Sequence, residues 1–249
     1  MIARLVHIRR HPIKSAGGED LGRVALTAGA RLPGDREWAV LTEAGERHVP
    51  QGEPDRWLPK SCFLRGAASA PLQAVTGGWD GERLRLSHPD LAPLCADPTR
   101  QGAAILDWLR PLWPGERGAP TRLVQGAGIW TDQKAPLISI LSRASLRTLE
   151  ERVGQRLGLH RWRANMWLDA LPPFAERDWI GRTITIGPAR LRITEAVGRC
   201  AATSADTDTG RIDIDMPETL QSLYGHSDFG VFAEVVTGGQ IATGDKVTL

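Results

Sequence analysis

The chain has 249 residues, of which 41% are hydrophobic and 24% are charged, and its formal net charge is +2. This length accommodates one large domain or two small ones, and the composition is typical of a soluble globular protein. The charge is too balanced to predict nucleic-acid binding. No segment approaches the roughly 20 apolar residues of a membrane-spanning helix, and residues 1–10 are too charged for a signal peptide. We therefore expect a cytoplasmic protein with neither a nucleic-acid partner nor a membrane partner.

Short strands dominate the pattern of the first hundred residues. Residues 37–42 predict a strand that runs into a turn. The pair Asp80-Gly81 is typical of a hairpin turn, and the alternating residues 83–86 would form the second strand of that hairpin. Short strands separated by glycine turns predict a barrel or a sandwich.

Two helices and a linker are predicted in the middle of the chain. Residues 103–112 carry apolar side chains at helical spacing, and Pro111 limits the length of that helix. Residues 114–120 are rich in turn formers and are the best linker candidate. A second helix is predicted to begin at Ser142, which can cap it. Its apolar stripe comprises Leu146, Leu149, Val153 and Leu157.

The last third of the chain predicts more strands. Residues 183–186 and 190–193 have the pattern of a hairpin, and residues 246–249 that of a final strand. The apolar run 191–197 would deliver Cys200 to the end of a sheet, where functional loops tend to collect.

The three cysteines, Cys62, Cys95 and Cys200, are odd in number and far apart. They form no Cys-x-x-Cys pair, which argues against a disulfide scaffold and against a four-cysteine zinc or iron–sulfur site. Arg199 precedes Cys200, and an adjacent cation favours the thiolate, the form that ligates metals and attacks electrophiles. Cys200 is therefore the functional candidate.

Cys200 lies in the stretch Arg-Cys-x-x-Thr-x-x-Asp-x-x-Thr-Gly. This pattern resembles the signature of the MOSC domain, the family of molybdenum cofactor sulfurase C-terminal regions and amidoxime-reducing enzymes. The matching residues are Arg199, Cys200, Thr203, Asp206, Thr209 and Gly210. Thr207 departs from the pattern, because the family usually has proline there.

Three further segments resemble the same family. His11-Pro12-Ile13-Lys14-Ser15 and Gly34-Asp35-Arg36-Glu37-Trp38 are similar to its N-terminal region, in the right order. Arg161-Trp162-Arg163-Ala164-Asn165 is similar to its Phe-Arg-Pro-Asn element, with Trp162 and Ala164 as substitutions.

The resemblance implies a fold, a cofactor and a set of binding residues. The fold would be mainly β with α/β additions, with a strand-rich N-terminal domain over residues 1–118 and a MOSC-type β-barrel over residues 119–249. The cofactor would be the molybdenum cofactor, with Cys200 on the metal. The residues implied to bind the pterin and its phosphate, or to lie beside the metal, are Lys14, Ser15, Arg36, Arg163, Asn165, Arg199, Thr203 and Asp206.

The implied reaction is the two-electron reduction of a small N-oxygenated substrate, such as an N-hydroxylated amidine or base. The chain has too few cysteines for an iron–sulfur cluster of its own and no Gly-x-Gly-x-x-Gly motif. We therefore expect a separate redox protein as the electron donor.

Three other interpretations stay open at this stage. Asp206, Asp208, Asp213 and Asp215 resemble a calcium loop, although the glycine and glutamate of an EF-hand are misplaced. Cys200 with a distant histidine could serve as a hydrolase nucleophile. Alternatively, the protein could carry sulfur on the molybdenum cofactor, or deliver that cofactor, without reductase activity.

Overall fold

The computed structural model describes residues 3–49, 52–54, 56–126 and 130–249. Its strands are β1 Ala3–Arg10, β2 Glu19–Leu21, β3 Arg23–Leu26, β4 Trp38–Thr42, β5 Thr76–Asp80, β6 Arg83–His88, β7 Leu91–Ala96, β8 Pro120–Gln125, β9 Leu137–Ser142, β10 Met166–Asp169, β11 Thr183–Ile186, β12 Ala189–Gly198, β13 Asp228–Thr237, β14 Gly239–Ala242 and β15 Lys246–Thr248. The α-helices are α1 Glu43–Glu46, α2 Gly102–Leu109, α3 Arg143–Val153 and α4 Met216–Tyr224. None of the helices in these ranges has the length and apolar character needed to cross a membrane.

Seven strands close into a barrel in the order β10-β9-β13-β12-β11-β15-β1, and β1 pairs with β10 to complete the ring. The pair β9–β10 is parallel, whereas the other neighbours are antiparallel. Strand β2 extends the sheet by pairing with the end of β1. The expected mainly β protein with a barrel core is confirmed, and its first strand comes from the N-terminus of the chain.

The barrel forms because its strands alternate between apolar and polar side chains. On β12, Ala189, Leu191 and Ile193 are buried, whereas Arg190 and Arg192 point outward. A period of two places one face of each strand in the interior, which these side chains fill. The strand 191–197 predicted to lead toward Cys200 lies within β12.

A second layer covers one side of the barrel and belongs mostly to the N-terminal part of the chain. It contains the sheet β5-β6-β7 and the pair β4–β8, with α2 packed against them. The predicted strand 37–42 and the hairpin at Asp80-Gly81 are both present. The predicted helix 103–112 is present as α2, which continues as a 3-10 turn over Arg110–Leu112 that contains Pro111. The domain boundary after residue 118 stays a prediction.

The second predicted helix begins as expected but ends early. Ser142 caps α3, because its hydroxyl accepts a hydrogen bond from the backbone N–H of Ser145. Gly154 adopts a left-handed conformation (φ 72°) and ends the helix, so Leu157 is not part of the helical stripe. Leu157 nevertheless packs into the same apolar cluster as Leu146 and Leu149.

Candidate functional site

A cavity of about 370 Å³ lies between the barrel and the N-terminal layer. Its walls come from the end of β12, the segment after β1, the turn before β10 and the region around residues 60–73. Eight of the nine sequence-predicted site residues line it: Lys14, Ser15, Arg36, Arg163, Asn165, Arg199, Cys200 and Thr203. Tertiary structure therefore brings together residues from four separate parts of the chain.

Cys200 is exposed and lies two residues beyond the end of β12. The next residues, Ala201–Ser204, form a 3-10 turn. The backbone N–H and the hydroxyl of Thr203 both donate to the carbonyl of Cys200, at 3.0 Å and 2.8 Å. These bonds hold the thiol at the edge of the cavity, where it is accessible to a ligand.

The turn after Cys200 is held by a partly buried ion pair that sequence reasoning missed. The guanidinium of Arg161 is fully buried and donates to both carboxylate oxygens of Asp213, each at 2.7 Å. It also donates to the carbonyl of Thr203 at 3.1 Å. Bidentate pairing fixes the guanidinium in orientation as well as position. Arg161 thus positions the turn, and its partner lies 52 residues away in sequence, too far for a local pattern to reveal.

Asp206 lies outside the cavity lining. One of its carboxylate oxygens accepts from the backbone N–H and the hydroxyl of Thr209, both at 2.8 Å. Asp215 accepts from the backbone N–H of Glu218 and caps α4. In the described ranges, no three His, Cys, Asp or Glu side chains are placed to hold a metal ion. The aspartates of this stretch therefore shape loops, and the calcium interpretation finds no support.

Arg199 ties the cysteine loop to β13 and to the turn that precedes β10. Its guanidinium donates to the carbonyl of Phe229 through Nε at 2.8 Å, and to the carbonyl of Trp162 at 3.0 Å. It also lies over the ring of Trp162, 5.4 Å from the centroid. Burial lowers the pKa of Arg199 to about 9, against the opposing effect of the neighbouring Cys200. The side chain remains a cation at neutral pH, directly beside the thiol.

Lys14 is a buried lysine that lines the cavity. Its Nζ donates to the carbonyl of Trp130 at 2.9 Å and to Asp132 at 2.5 Å. Burial lowers the pKa of Lys14, although the charge of Asp132 counteracts this effect. A buried ammonium with one half-exposed carboxylate partner is well placed to bind a further anion.

Arg36 lines the cavity and also belongs to a polar cluster with the buried side chains of Asp35 and His11. It pairs with Asp35, which accepts from the backbone N–H of His11 at 2.8 Å. Burial raises the pKa of Asp35. The charge of Arg36 and the hydrogen bonds from His11 lower this pKa by more, so that it lies well below its ordinary range. Burial, followed by the charge of Arg163, holds the pKa of His11 well below its ordinary value. The cluster is therefore an ionised aspartate between an arginine and a neutral histidine.

Three of the predicted site residues have left-handed backbone conformations. The φ angles are 66° at Ser15, 51° at Arg36 and 46° at Arg163. Such conformations cost roughly 1–2 kcal/mol for residues other than glycine, and they concentrate at functional sites. The strain is maintained by the surrounding hydrogen bonds: Arg163 donates to the carbonyls of Gly17 and Ile13, at 2.9 Å and 3.2 Å, and Arg36 to the carbonyl of Arg163.

Arg163 also illustrates the electrostatics of the cavity. Burial, followed by the charge of Arg36, lowers the pKa of Arg163 to about 9. Clustered cations of this kind repel one another until an anion binds between them.

Asn165 serves mainly as a connector within the barrel. Its Oδ1 accepts from the backbone N–H and the hydroxyl of Ser139, and its Nδ2 donates to the carbonyl of Arg9. These bonds link Asn165, the residue before β10, to β9 and β1.

Gln73 is a lining residue that the sequence did not indicate. Its side chain is buried, and both Nε2 and Oε1 have no hydrogen-bond partner in the part of the chain that the structure describes. No motif marks it, since its significance comes from burial against Gly66.

The charge of the lining is strongly one-sided. Eight of the described lining residues are cationic, and Asp132 is the one carboxylate among them. The cationic residues are Lys14, Arg31, Arg36, Lys60, Arg65, Arg161, Arg163 and Arg199. No histidine appears among the described lining residues, so a Cys–His hydrolase arrangement is not supported. The cavity has the chemistry of an anion-binding site with an accessible thiol.

Comparison with known proteins identifies the family. The model of the MOSC domain matches residues 131–248, and that of the MOSC N-terminal beta barrel domain matches residues 2–102. Human Mitochondrial amidoxime-reducing component 1 is 34% identical, in an alignment that covers 96% of this chain and 80% of that protein. This chain belongs to the MOSC family.

Two further proteins are similar to this chain over most of its length. Human Mitochondrial amidoxime reducing component 2 is 32% identical over 95% of this chain and 80% of its own length. The Molybdenum cofactor sulfurase of Danio rerio is 25% identical over 80% of this chain, which corresponds to 28% of that protein.

The cavity fits the cofactor associated with the MOSC family. A pterin phosphate requires cationic donors, which the cavity has in excess over carboxylates. A thiolate suits a soft or strongly covalent metal centre, and the exposed thiol of Cys200 is available for it. Both requirements are met by residues that line one cavity.

Proposed function

We propose that this protein is a molybdenum-cofactor-dependent reductase of N-hydroxylated compounds. The observation that carries the proposal is the accessible thiol of Cys200 at the edge of a cavity with eight cationic side chains. The names of the amidoxime-reducing relatives, which align over most of this chain, support the same chemistry.

Each group of lining residues has a distinct part in the proposal. Cys200 supplies the thiolate ligand of the metal, and Arg199 holds the cysteine loop through the carbonyls of Phe229 and Trp162. Lys14, Arg36 and Arg163 bind the phosphate and the polar edge of the pterin through charge-assisted hydrogen bonds. Ser15 contributes its hydroxyl at the same wall, and Thr203 fixes the backbone of Cys200.

When bound, the molybdenum cofactor would supply two-electron removal of the oxygen atom from the N–O group. The overall reaction converts an N-hydroxylated amidine or base, two electrons and two protons into the amidine or base and water. The protein keeps the substrate close to the thiolate side of the cavity and excludes part of the bulk water. A separate redox protein supplies the electrons. The cytoplasmic location expected from the sequence stays a prediction.

The alternative is a carrier or delivery protein for the molybdenum cofactor, which the similarity to the sulfurase favours. A carrier needs the same cationic cavity and the same thiol, but it must release its ligand. The two functions therefore differ in turnover and not in the composition of the site.

The decisive experiment uses protein produced in a host that synthesises the cofactor. Molybdenum and pterin should be present in equal amounts, and reduced methyl viologen should drive the conversion of benzamidoxime to benzamidine. NADH or NADPH alone should give no turnover. Bound cofactor without viologen-driven turnover would favour the carrier function, whereas steady turnover with NADH alone would refute the need for a separate electron donor.

A further inference from the structure

One wall of the cavity comes from the N-terminal layer and faces the loop that follows Cys200. Arg65, Gly66 and Gln73 belong to this wall. A Cβ atom added to Gly66 would overlap Nε2 of Gln73 and would lie 3.3 Å from the Cβ of Ala202. Gly66 is therefore wedged between Gln73 and a residue two positions beyond Cys200. Arg65, its neighbour, lines the same cavity as the thiol.

Hydrogen bonding separates the eight cationic lining residues into two groups. Six donate to protein oxygen atoms: Lys14, Arg31, Arg36, Arg161, Arg163 and Arg199. Lys60 and Arg65 donate to none in the described ranges. Burial raises the pKa of Asp132, whereas the charges of Lys14 and then Lys60 lower it. The charge of Lys60 is therefore balanced in part by Asp132. Arg65 forms no salt bridge with another described residue.

The surroundings of Arg65 suit a ligand more than solvent alone. Arg65 is half-buried, and its backbone is held in a turn, because its carbonyl accepts from the N–H of Ala68 at 3.0 Å. Its neighbour Gln73 presents a buried carboxamide without a partner in the described part of the chain. A planar guanidinium in such a wall matches the two oxygens of a carboxylate.

We propose that Arg65 determines substrate specificity by binding an anionic group of the substrate. This inference rests on the proposed reductase function, since it takes the N–O end of the substrate to lie at Cys200. The substrate class is then N-hydroxylated amidines or bases that carry a carboxylate at the end remote from the N–O group. Lys14, Arg36 and Arg163 remain assigned to the cofactor.

The test compares the binding of benzamidoxime and 4-carboxybenzamidoxime to the oxidised holoenzyme by titration calorimetry, without a reductant. Wild-type protein should bind the carboxylated compound about five- to twentyfold more tightly, as expected for a charge-assisted contact at a partly exposed site. Arg65→Ala should abolish this preference and leave the Kd of benzamidoxime within about twofold. Arg65→Lys should retain part of it. Arg100→Ala removes the same charge from a side chain that is 86% exposed outside the cavity, and should change nothing.

Each result decides the matter. Equal binding of the two compounds by wild-type protein, or a preference that persists in Arg65→Ala, would overturn the inference. Loss of molybdenum or pterin from Arg65→Ala would assign the residue to the cofactor and would also overturn it. A preference in binding without viologen-driven turnover of either compound would contradict the reductase function, but would uphold the role of Arg65 as an anion-binding residue.

Discussion

Gly210 packs directly against Pro71: a Cβ atom at position 210 would lie 2.9 Å from the Cα of Pro71 and 3.2 Å from the Cβ of Ala74. Gly210 also has a left-handed conformation, with φ +68°. The loop that carries Cys200 is thereby docked onto the 3-10 helix Ala70–Ala74, which places Gln73 in the cavity wall. The last residue of the family signature is glycine because the N-terminal layer leaves no space for a side chain there.

Gly210→Ala should destabilise the protein more than a matched glycine variant. Gly81→Ala also places alanine at a left-handed position (φ +63°) but meets no atom within 4 Å, so it should cost only about 1 kcal/mol. Gly210→Ala should cost about 1–3 kcal/mol more, because backbone atoms of Pro71 must move. Urea unfolding of both variants measures the difference. Equal free energies of unfolding would show that the contact with Pro71 is easily relaxed.

Cys200→Ser should abolish viologen-driven reduction of benzamidoxime and change the electron paramagnetic resonance signal of the metal. The reason is that a neutral hydroxyl replaces the soft anionic ligand that the metal prefers. Cys62→Ser and Cys95→Ser are the controls, since neither residue lines the cavity among the described residues. Full activity in Cys200→Ser would rule out the metal–thiolate assignment.

Arg163 offers a test of cofactor binding and of backbone strain together. Arg163→Ala and Arg163→Gly both remove the guanidinium, and each should lower molybdenum and pterin occupancy by weakening affinity about ten- to a hundredfold. Arg163→Gly should be about 1 kcal/mol more stable than Arg163→Ala, because glycine accepts φ 46° without strain. Metal analysis and thermal unfolding give the two readouts. Wild-type occupancy in both variants would mark Arg163 as an ordinary structural residue.

Gln73→Met should stabilise the cofactor-free protein. Methionine resembles glutamine in shape, and it removes two buried polar atoms that lack a partner in the described part of the chain. We expect the Tm to rise by about 2–4 °C, which corresponds to about 1 kcal/mol for a chain of this size. Gln73→Ala, which leaves a void, should lower the Tm instead. A lower Tm for Gln73→Met would indicate that the carboxamide is satisfied in solution.

Acidification should weaken the fold through His11. Burial, followed by the charge of Arg163, holds the pKa of folded His11 well below 6.5, the value for an unperturbed histidine. Below pH 6.5 the unfolded chain therefore binds a proton that the folded chain does not, and stability falls by up to about 1.4 kcal/mol per pH unit. His11→Gln should flatten this slope between pH 7 and pH 5, and His160, whose pKa burial also lowers, accounts for part of the remainder. An unchanged slope in urea unfolding at several pH values would contradict this account of His11.

Much of the local structure of this protein follows from interactions between residues that are close in sequence. Some features depend only on neighbouring residues and can be predicted from the sequence: the alternation on residues 191–197, the cap at Ser142 and the turn at Asp80-Gly81. The motif around Cys200 can be recognised in the sequence because its residues lie within one loop. The prediction that Leu157 belongs to the helix failed because periodicity continues across Gly154, whereas the left-handed backbone of that glycine does not continue the helix.

The assembly of the site, in contrast, depends on contacts between segments that are distant in sequence. Closure of the barrel by β1 places Lys14 and Ser15, which follow β1, in the same cavity lining as Cys200, which follows β12. The Arg161–Asp213 pair, the docking of Gly210 on Pro71, and the positions of Arg65 and Gln73 all join segments that are distant in sequence. Burial and charge compensation depend on such non-local contacts. The role of a side chain in a segment without a recognisable motif therefore depends on the residues that pack against it.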